Sequence, residues 1–205
     1  RLDRRSGPGL RLDRRAGLFG FLGFPRRPAY YAPQRSRRHE RKGLAMFQHP
    51  LNPADVTRQV QAALAEDVGA GDLNAALIDA AQRLRARVIT REAGVFCGRP
   101  WVDEVFARLD PAVALVWAVA DGDAVAPEQT LLNLEGPARA ILSGERCALN
   151  FMQTLSATAT VTRQWSAPLE GTGLTLLDTR KTLPGLRTAQ KYAVLCGGGA
   201  NHRLG

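Results

Sequence analysis

At 205 residues, the chain is long enough to bury one sizeable core, or one small domain and part of a second. A hydrophobic content of 45% excludes wholesale disorder, and no apolar run approaches the roughly 18 residues that a membrane span needs. The net charge of +9 is confined to the beginning: residues 1–45 hold 13 Lys/Arg against 3 Asp/Glu, whereas residues 46–205 hold 15 against 16. The basic charge therefore says nothing about what the main body binds. Cys97, Cys147 and Cys196 lie far apart with no C-x-x-C pair, which argues against a zinc site or a disulfide framework and for reduced thiols in a cytoplasmic protein.

Residues 1–45 repeat Arg-Leu-Asp-Arg-Arg at 1–5 and 11–15 and are punctuated by glycine and proline. Neither helical nor strand periodicity persists, so they read as a disordered, low-complexity leader. It could be upstream sequence ahead of a start at Met46, a basic arm for nucleic acid, or an export signal in which Arg14-Arg15 precede the apolar run 16–24. Asn52-Pro53-Ala54-Asp55 then spells a helix start, and Val56, Val60, Ala63 and Leu64 continue it at helical spacing. Glu66 to Asp72 breaks the helix with two glycines and three acids, as a solvated turn or a functional one. Residues 83–90 alternate, with Leu84, Ala86 and Val88 on one side and three arginines on the other, which is a half-buried strand. Trp101, Val105 and Leu109 mark a helix face, 113–119 a second apolar strand, Asp121-Gly122-Asp123 a turn and 131–134 another strand. Glu135-Gly136-Pro137 is expected to launch a long helix with Ile141, Ala148, Met152, Leu155 and Ala159 along one face. A short buried strand at 174–177, a helix from Pro184 to about Leu195 and a stop at Gly197-Gly198-Gly199 complete the pattern. A strand and helix with nothing further to pair against read as the opening of a barrel, so the chain is expected to be a fragment.

Arginine outnumbers lysine 25 to 3, and after Met46 only Lys181 and Lys191 survive. A lysine kept against that bias suggests a site that wants a compact ammonium instead of a planar fork. Lys181 sits in Asp178-Thr179-Arg180-Lys181-Thr182, at the C-terminal end of an expected strand, where parallel barrels build their active sites. Arg180 and Lys181 there make a cationic site for an anion. Gly197-Gly198-Gly199-Ala200-Asn201-His202-Arg203 joins it, with glycines expected to let backbone approach a ligand closely. His202 is the one histidine beyond the start region.

Residues 46–205 resemble the N-terminal half or more of the quinolinate phosphoribosyltransferase family. The blocks that carry this are 66–72, Thr90 to Gly98, Leu134-Glu135-Gly136-Pro137, Gly144-Glu145-Arg146-Cys147 through Phe151, Asp178 through Arg187, and Lys191-Tyr192-Ala193 onward. The resemblance implies a small N-terminal α/β domain over 46–168 including a long connecting helix, then over 169–205 the first, incomplete part of an open α/β barrel. It implies phosphoribosyl transfer from phosphoribosyl pyrophosphate (PRPP) to quinolinate with decarboxylation, in a magnesium-using homodimer. By the same resemblance Arg180 and Lys181 are catalytic, and Thr179, Arg180, Lys181, His202 and Arg203 bind substrate. Arg146 reaches into the partner's site, and the metal ligands lie outside these 205 residues. Two cation-rich segments suit a substrate with two carboxylates, which arginines pair bidentately. The fragment is expected to be inactive alone. Other readings stay open: a nicotinate-using or molybdenum-transport paralogue, and a basic nucleic-acid module resting on the leader. Residues 121–125 with Gln129-Thr130-Leu131 also resemble the hairpin of a biotinyl or lipoyl carrier. A carrier needs a lysine at the hairpin tip, and none lies between 43 and 180.

Overall fold

The computed structural model describes residues 2–3, 10–12, 51–69, 71–72, 75 and 77–204. Two short strands come first, β1 (Leu2–Asp3) and β2 (Leu10–Leu12). They differ from the expectation of a leader without regular structure: β1 pairs antiparallel with β2, and β2 pairs parallel with β3 (Arg83–Ile89). The apolar run 16–24 and Met46 lie outside the described residues.

Helix α1 (Pro53–Asp67) starts as its sequence dictates, with Asn52 Oδ1 accepting from the Ala54 amide at 3.1 Å and proline in the first turn. The sheet runs β1-β2-β3-β7-β5, where β5 is Ala114–Trp117 and β7 is Thr130–Pro137. The alternation in β3 holds: its arginines are exposed, Leu84 is buried, and Ala86 and Val88 are half-buried. Its exposed face is tied across to β7 by Arg85 and Glu135 at 2.9 Å. A separate pair, β4 (Gly94–Val95) with β6 (Ala124–Val125), is antiparallel. Helix α2 (Arg99–Leu109) and the 29-residue α3 (Ala138–Ser166) pack together, and Trp101, Phe96, Leu131, Leu132, Met152 and Leu155 fill the core between them and the sheet. All five residues expected on the inner face of α3 are buried. A Cβ on Gly144 would lie 2.7 Å from a Phe106 ring carbon, so the glycine lets α3 cross α2 closely.

Four expectations change. The strand expected at 131–134 runs on through Glu135-Gly136-Pro137, where Gly136 passes so close to residue 113 that a Cβ would lie 2.8 Å from Val113 Cα, and Pro137 then caps α3, which starts directly after it as expected. The strand expected at 113–119 is only 114–117, with Val116 63% exposed. Residues 174–177 are not a buried strand: Leu174 and Leu177 are exposed, and pairing is one parallel bridge between Leu177 and Ala200. The helix expected from Pro184 begins later, as α4 (Arg187–Cys196), because Gly185 at φ 79° first turns the chain through the left-handed region.

Candidate functional site

The parallel bridge between Leu177 and Ala200 spans the crossover helix α4 and lays two chain segments side by side. Backbone bonds carry the pairing up to Asp178, whose amide donates to Ala200 O at 3.0 Å, while Ala200 N donates to Leu176 O at 2.9 Å. Beyond that point the Asp178 carboxylate takes over. Its Oδ1 accepts from Lys191 Nζ at 2.7 Å and from the His202 amide at 2.7 Å, and its Oδ2 accepts from Asn201 Nδ2 at 2.8 Å. The Asp178 and Lys191 side chains are 5% and 2% exposed, so this is a buried ion pair. Burying such a pair is costly unless further hydrogen bonds accompany it, and here the Asp178 carboxylate accepts three.

Thr179, Arg180 and Lys181 leave one side of this cluster and His202 and Arg203 the other, all with exposed side chains. The Lys181 amide donates to Thr179 Oγ1 at 3.1 Å, which curls the first segment. Its far end is anchored twice: Gln59 Nε2 donates to Gly185 O at 2.8 Å, and the Leu183 amide donates to Gln190 Oε1 at 2.7 Å. Gln59 is itself held by Trp101 Nε1, 2.8 Å away in the core. Arg187 closes the other side, donating to Leu204 O at 3.3 Å. An open cleft of about 400 Å³ beside this loop is lined by Arg58, Thr182, Arg187 and Thr188 among others. The structure thus brings together Thr179, Arg180, Lys181, His202 and Arg203 as two adjoining cationic segments. Anions are what such a surface binds.

Arg146 is not in that group. It is exposed on α3, 4.0 Å from Asp67 at the end of α1. The barrel-side end of the chain meets α3 thirteen to sixteen residues further on, where Gly197 packs against Ala159 and Thr162. At 1.5 Å per residue that is about 20–24 Å along the axis.

The triple glycine has a different use from the one expected. A Cβ on Gly197 would collide with Ala159 O and lie 2.5 Å from Thr162 Cβ, and one on Gly199 would lie 3.0 Å from Thr162 Cγ2. These glycines admit helix α3, not a ligand. The acidic turn at 66–72 is also a docking piece: Asp72 accepts from Ser143 Oγ at 2.8 Å. Asp121, in the hairpin-like stretch, caps α2 by accepting from the Gly98 and Arg99 amides at 2.8 and 3.1 Å and takes the Tyr192 hydroxyl at 2.7 Å. Burial pushes its carboxyl above the usual 3.8, against the lowering effect of those bonds. The hairpin of a carrier is absent here, since β6 pairs with β4 and not with β7.

Sequence reasoning missed Asp178 and Lys191 as a pair, and Asn201. Lys191 survives the arginine bias just as Lys181 does, but only the fold shows that it faces inward between Ala189 and Ala193. Asn201 Oδ1 is buried with no hydrogen-bond partner among the described residues. Turning the amide over would set that oxygen against the Asp178 carboxylate, so the cluster fixes its orientation at the cost of an unpaired acceptor.

Two family models match in succession: the quinolinate phosphoribosyl transferase N-terminal domain over residues 68–156 and its C-terminal domain over 158–205. The chain belongs to the quinolinate phosphoribosyltransferase family. Among curated relatives, it is 43% identical over 140 residues to a probable nicotinate-nucleotide pyrophosphorylase [carboxylating] of Bacillus subtilis, covering 68% of this chain and 48% of that protein. It is 38% identical over 159 residues to quinolinate phosphoribosyltransferase [decarboxylating] 1 of Nicotiana glauca, covering 76% and 45%. The chain spans about half the length of these curated family members. Among solved structures, the nicotinate-nucleotide pyrophosphorylase from Francisella tularensis matches with a TM-score of 0.73 at 44% identity, over 76% of this chain and 56% of that one. NadC from Streptococcus pyogenes matches with a TM-score of 0.73 at 35% identity, over 77% and 56%. The family's architecture here is its N-terminal domain plus the start of its C-terminal domain, in a mixed α and β fold.

Proposed function

We propose that the whole protein transfers phosphoribosyl from PRPP to quinolinate with loss of carbon dioxide, giving nicotinate mononucleotide and pyrophosphate. One observation carries the reading. Arg180, Lys181, His202 and Arg203 emerge together from the two sides of a single buried carboxylate. In the reaction the quinolinate ring nitrogen forms the new bond to the ribose, pyrophosphate leaves with the electrons of the broken bond, and the 2-carboxylate departs as carbon dioxide. The electron pair left on ring carbon 2 is then protonated. Arg203 and His202 hold the two carboxylates, while Arg180 and Lys181 offset the charge that builds on the pyrophosphate and at carbon 2. Preorganised cations do this without reorganising at the moment of reaction.

The domain reading follows the same line. Residues 46–168 form the N-terminal α/β domain with its connecting helix, and 169–205 open an α/β barrel, supported by the parallel bridge across α4. Arg146 serves the site of a second copy in a homodimer, a role supported by its place beside Asp67, well along α3 from where Gly197 docks. The magnesium that the family is expected to use finds no acidic cluster among the described residues. The carboxylate nearest the cations, Asp178, spends both oxygens on protein partners. We therefore assign no residue of this chain to the metal. No helix among the described residues is long and apolar enough to cross a membrane, and the free cysteines support a cytoplasmic reading. Some relatives are named as mitochondrial or chloroplastic.

The test is turnover by the complete gene product with PRPP, magnesium and either quinolinate or nicotinate. Formation of nicotinate mononucleotide from quinolinate, with one carbon dioxide released per product, is the expected result. Turnover of nicotinate alone, or of neither, would overturn it.

A further inference from the structure

We infer that Asp178 and Asn201 are positioning residues that set the spacing of the two cationic segments, with Lys191 as the buried counter-charge that pairs with Asp178. The inference rests on the functional reading above, for which Thr179 to Lys181 and His202 to Arg203 are the binding elements.

Regular pairing between the two segments ends at the bonds Asp178 N to Ala200 O and Ala200 N to Leu176 O. The residues that would bind an anion begin one position later on the first segment, at Thr179, and two positions later on the second, at His202. Without further connection those loops would be free to part, because like charges on Arg180, Lys181 and Arg203 repel one another. The Asp178 carboxylate prevents this by bonding the His202 backbone amide at 2.7 Å and the Asn201 side chain at 2.8 Å. Asn201 in turn donates to Lys191 O at 2.9 Å, which fastens the second segment to α4. The carboxylate is negative in the middle of a cationic surface, yet it is too buried and too fully engaged to compete for the ligand. Lys191 is equally hidden, so its ammonium balances Asp178 without presenting another cation to the anion. The two lysines left after Met46 divide the work: Lys181 is exposed among the cations, and Lys191 is internal and holds the frame.

A structural ion pair and a positioning one are separated by removing both charges together. Asp178→Leu alone leaves an unpaired buried ammonium and is expected to lower the melting temperature. In the double variant Asp178→Leu/Lys191→Met no buried charge remains, and the melting temperature should return to within a few degrees of wild type. In the complete gene product its kcat/KM for quinolinate should nevertheless stay at least ten-fold low. Recovery of kcat/KM together with stability would overturn the inference and leave the pair a folding element. Should the double variant not fold, Asn201→Ala supplies the reading, since it removes one of the carboxylate's bonds without stranding a charge. A loss of three-fold or more in kcat/KM is expected there, and no loss would overturn the inference. A ligand-free arm keeps this apart from the functional reading. In the 205-residue chain, deuterium exchange at the His202 amide should quicken at least ten-fold in either variant while amides of α3 keep their protection. Unchanged exchange would sink the positioning role even if quinolinate proves the substrate. Altered exchange with an inactive wild type would sink only the functional reading.

Discussion

At the scale of single residues, the exposed cations and the buried ones answer to different physics. Arg203 faces solvent at the end of its segment, so its removal costs little stability and, on the proposed function, a ligand contact. Losing one charge-assisted hydrogen bond costs about 1.5–3 kcal/mol, or roughly one to two powers of ten in binding or rate. In the complete gene product, Arg203→Ala should raise the KM for quinolinate by that factor and leave the KM for PRPP nearly unchanged. Equal effects on both substrates would place Arg203 elsewhere. Asp121 is the opposite case, a carboxyl raised by burial. A raised acid binds its proton more tightly folded than unfolded, so its contribution to stability is fully present below 3.8 and is lost as pH rises through its higher folded value. Melting temperatures of wild type and Asp121→Asn, compared from pH 4 upward, should therefore shift in favour of the variant as pH rises. A gap that moves the other way would mean that the hydrogen bonds from Tyr192 and the α2 amides outweigh burial.

At the scale of elements, what the sequence revealed depended on how local each signal was. The cap of α1, the alternation of β3 and the inner face of α3 repeat within a few residues and came out as expected. The end of β7, the exposure of Leu174 and Leu177 and the use of the triple glycine were misread, because each is decided by a distant neighbour. The same division runs through the site. The cations stand in contiguous motifs, whereas Asp178 and Lys191 are thirteen residues apart and meet only through the crossover. Polar residues inside α3 were likewise invisible: Ser156 Oγ and Thr160 Oγ1 accept from the amides of Cys97 and Val95 at 2.9 and 2.8 Å, binding the β4 segment to the helix. The glycine reading has its own check. Gly197→Ala should destabilise the chain by about 1–3 kcal/mol through overpacking against α3, read from denaturant unfolding. A neutral effect would mean that α4 and α3 separate more easily than their contact suggests.

For the whole molecule, the placement of Arg146 is the feature with the largest reach. It stands beside Asp67, about 20–24 Å along α3 from the point where the cationic segments' helix docks. If Arg146 serves a second copy, an Arg146→Ala protein and a Lys181→Ala protein, both inactive, should regain partial activity when mixed, through hybrid dimers that keep one intact site. With subunit exchange verified, absence of complementation would return Arg146 to a role within its own chain.

Helix α3 holds all of these parts on one rigid axis of 29 residues. Arg146 lies near its beginning. Ser156 and Thr160 grip the β4 segment further along, and Arg163 and Ser166 donate to Gly197 O at 3.0 Å near its end. Each added or deleted residue would turn everything beyond it by about 100° and shift it by about 1.5 Å. A single insertion after Ala148 would thus swing Ser156, Thr160 and Arg163 away from their partners at once, while leaving every one of them present in the sequence. Exposed side chains of this helix other than Arg146 can vary; its length cannot. Divergence in this stretch is accordingly open to substitution and closed to insertion and deletion.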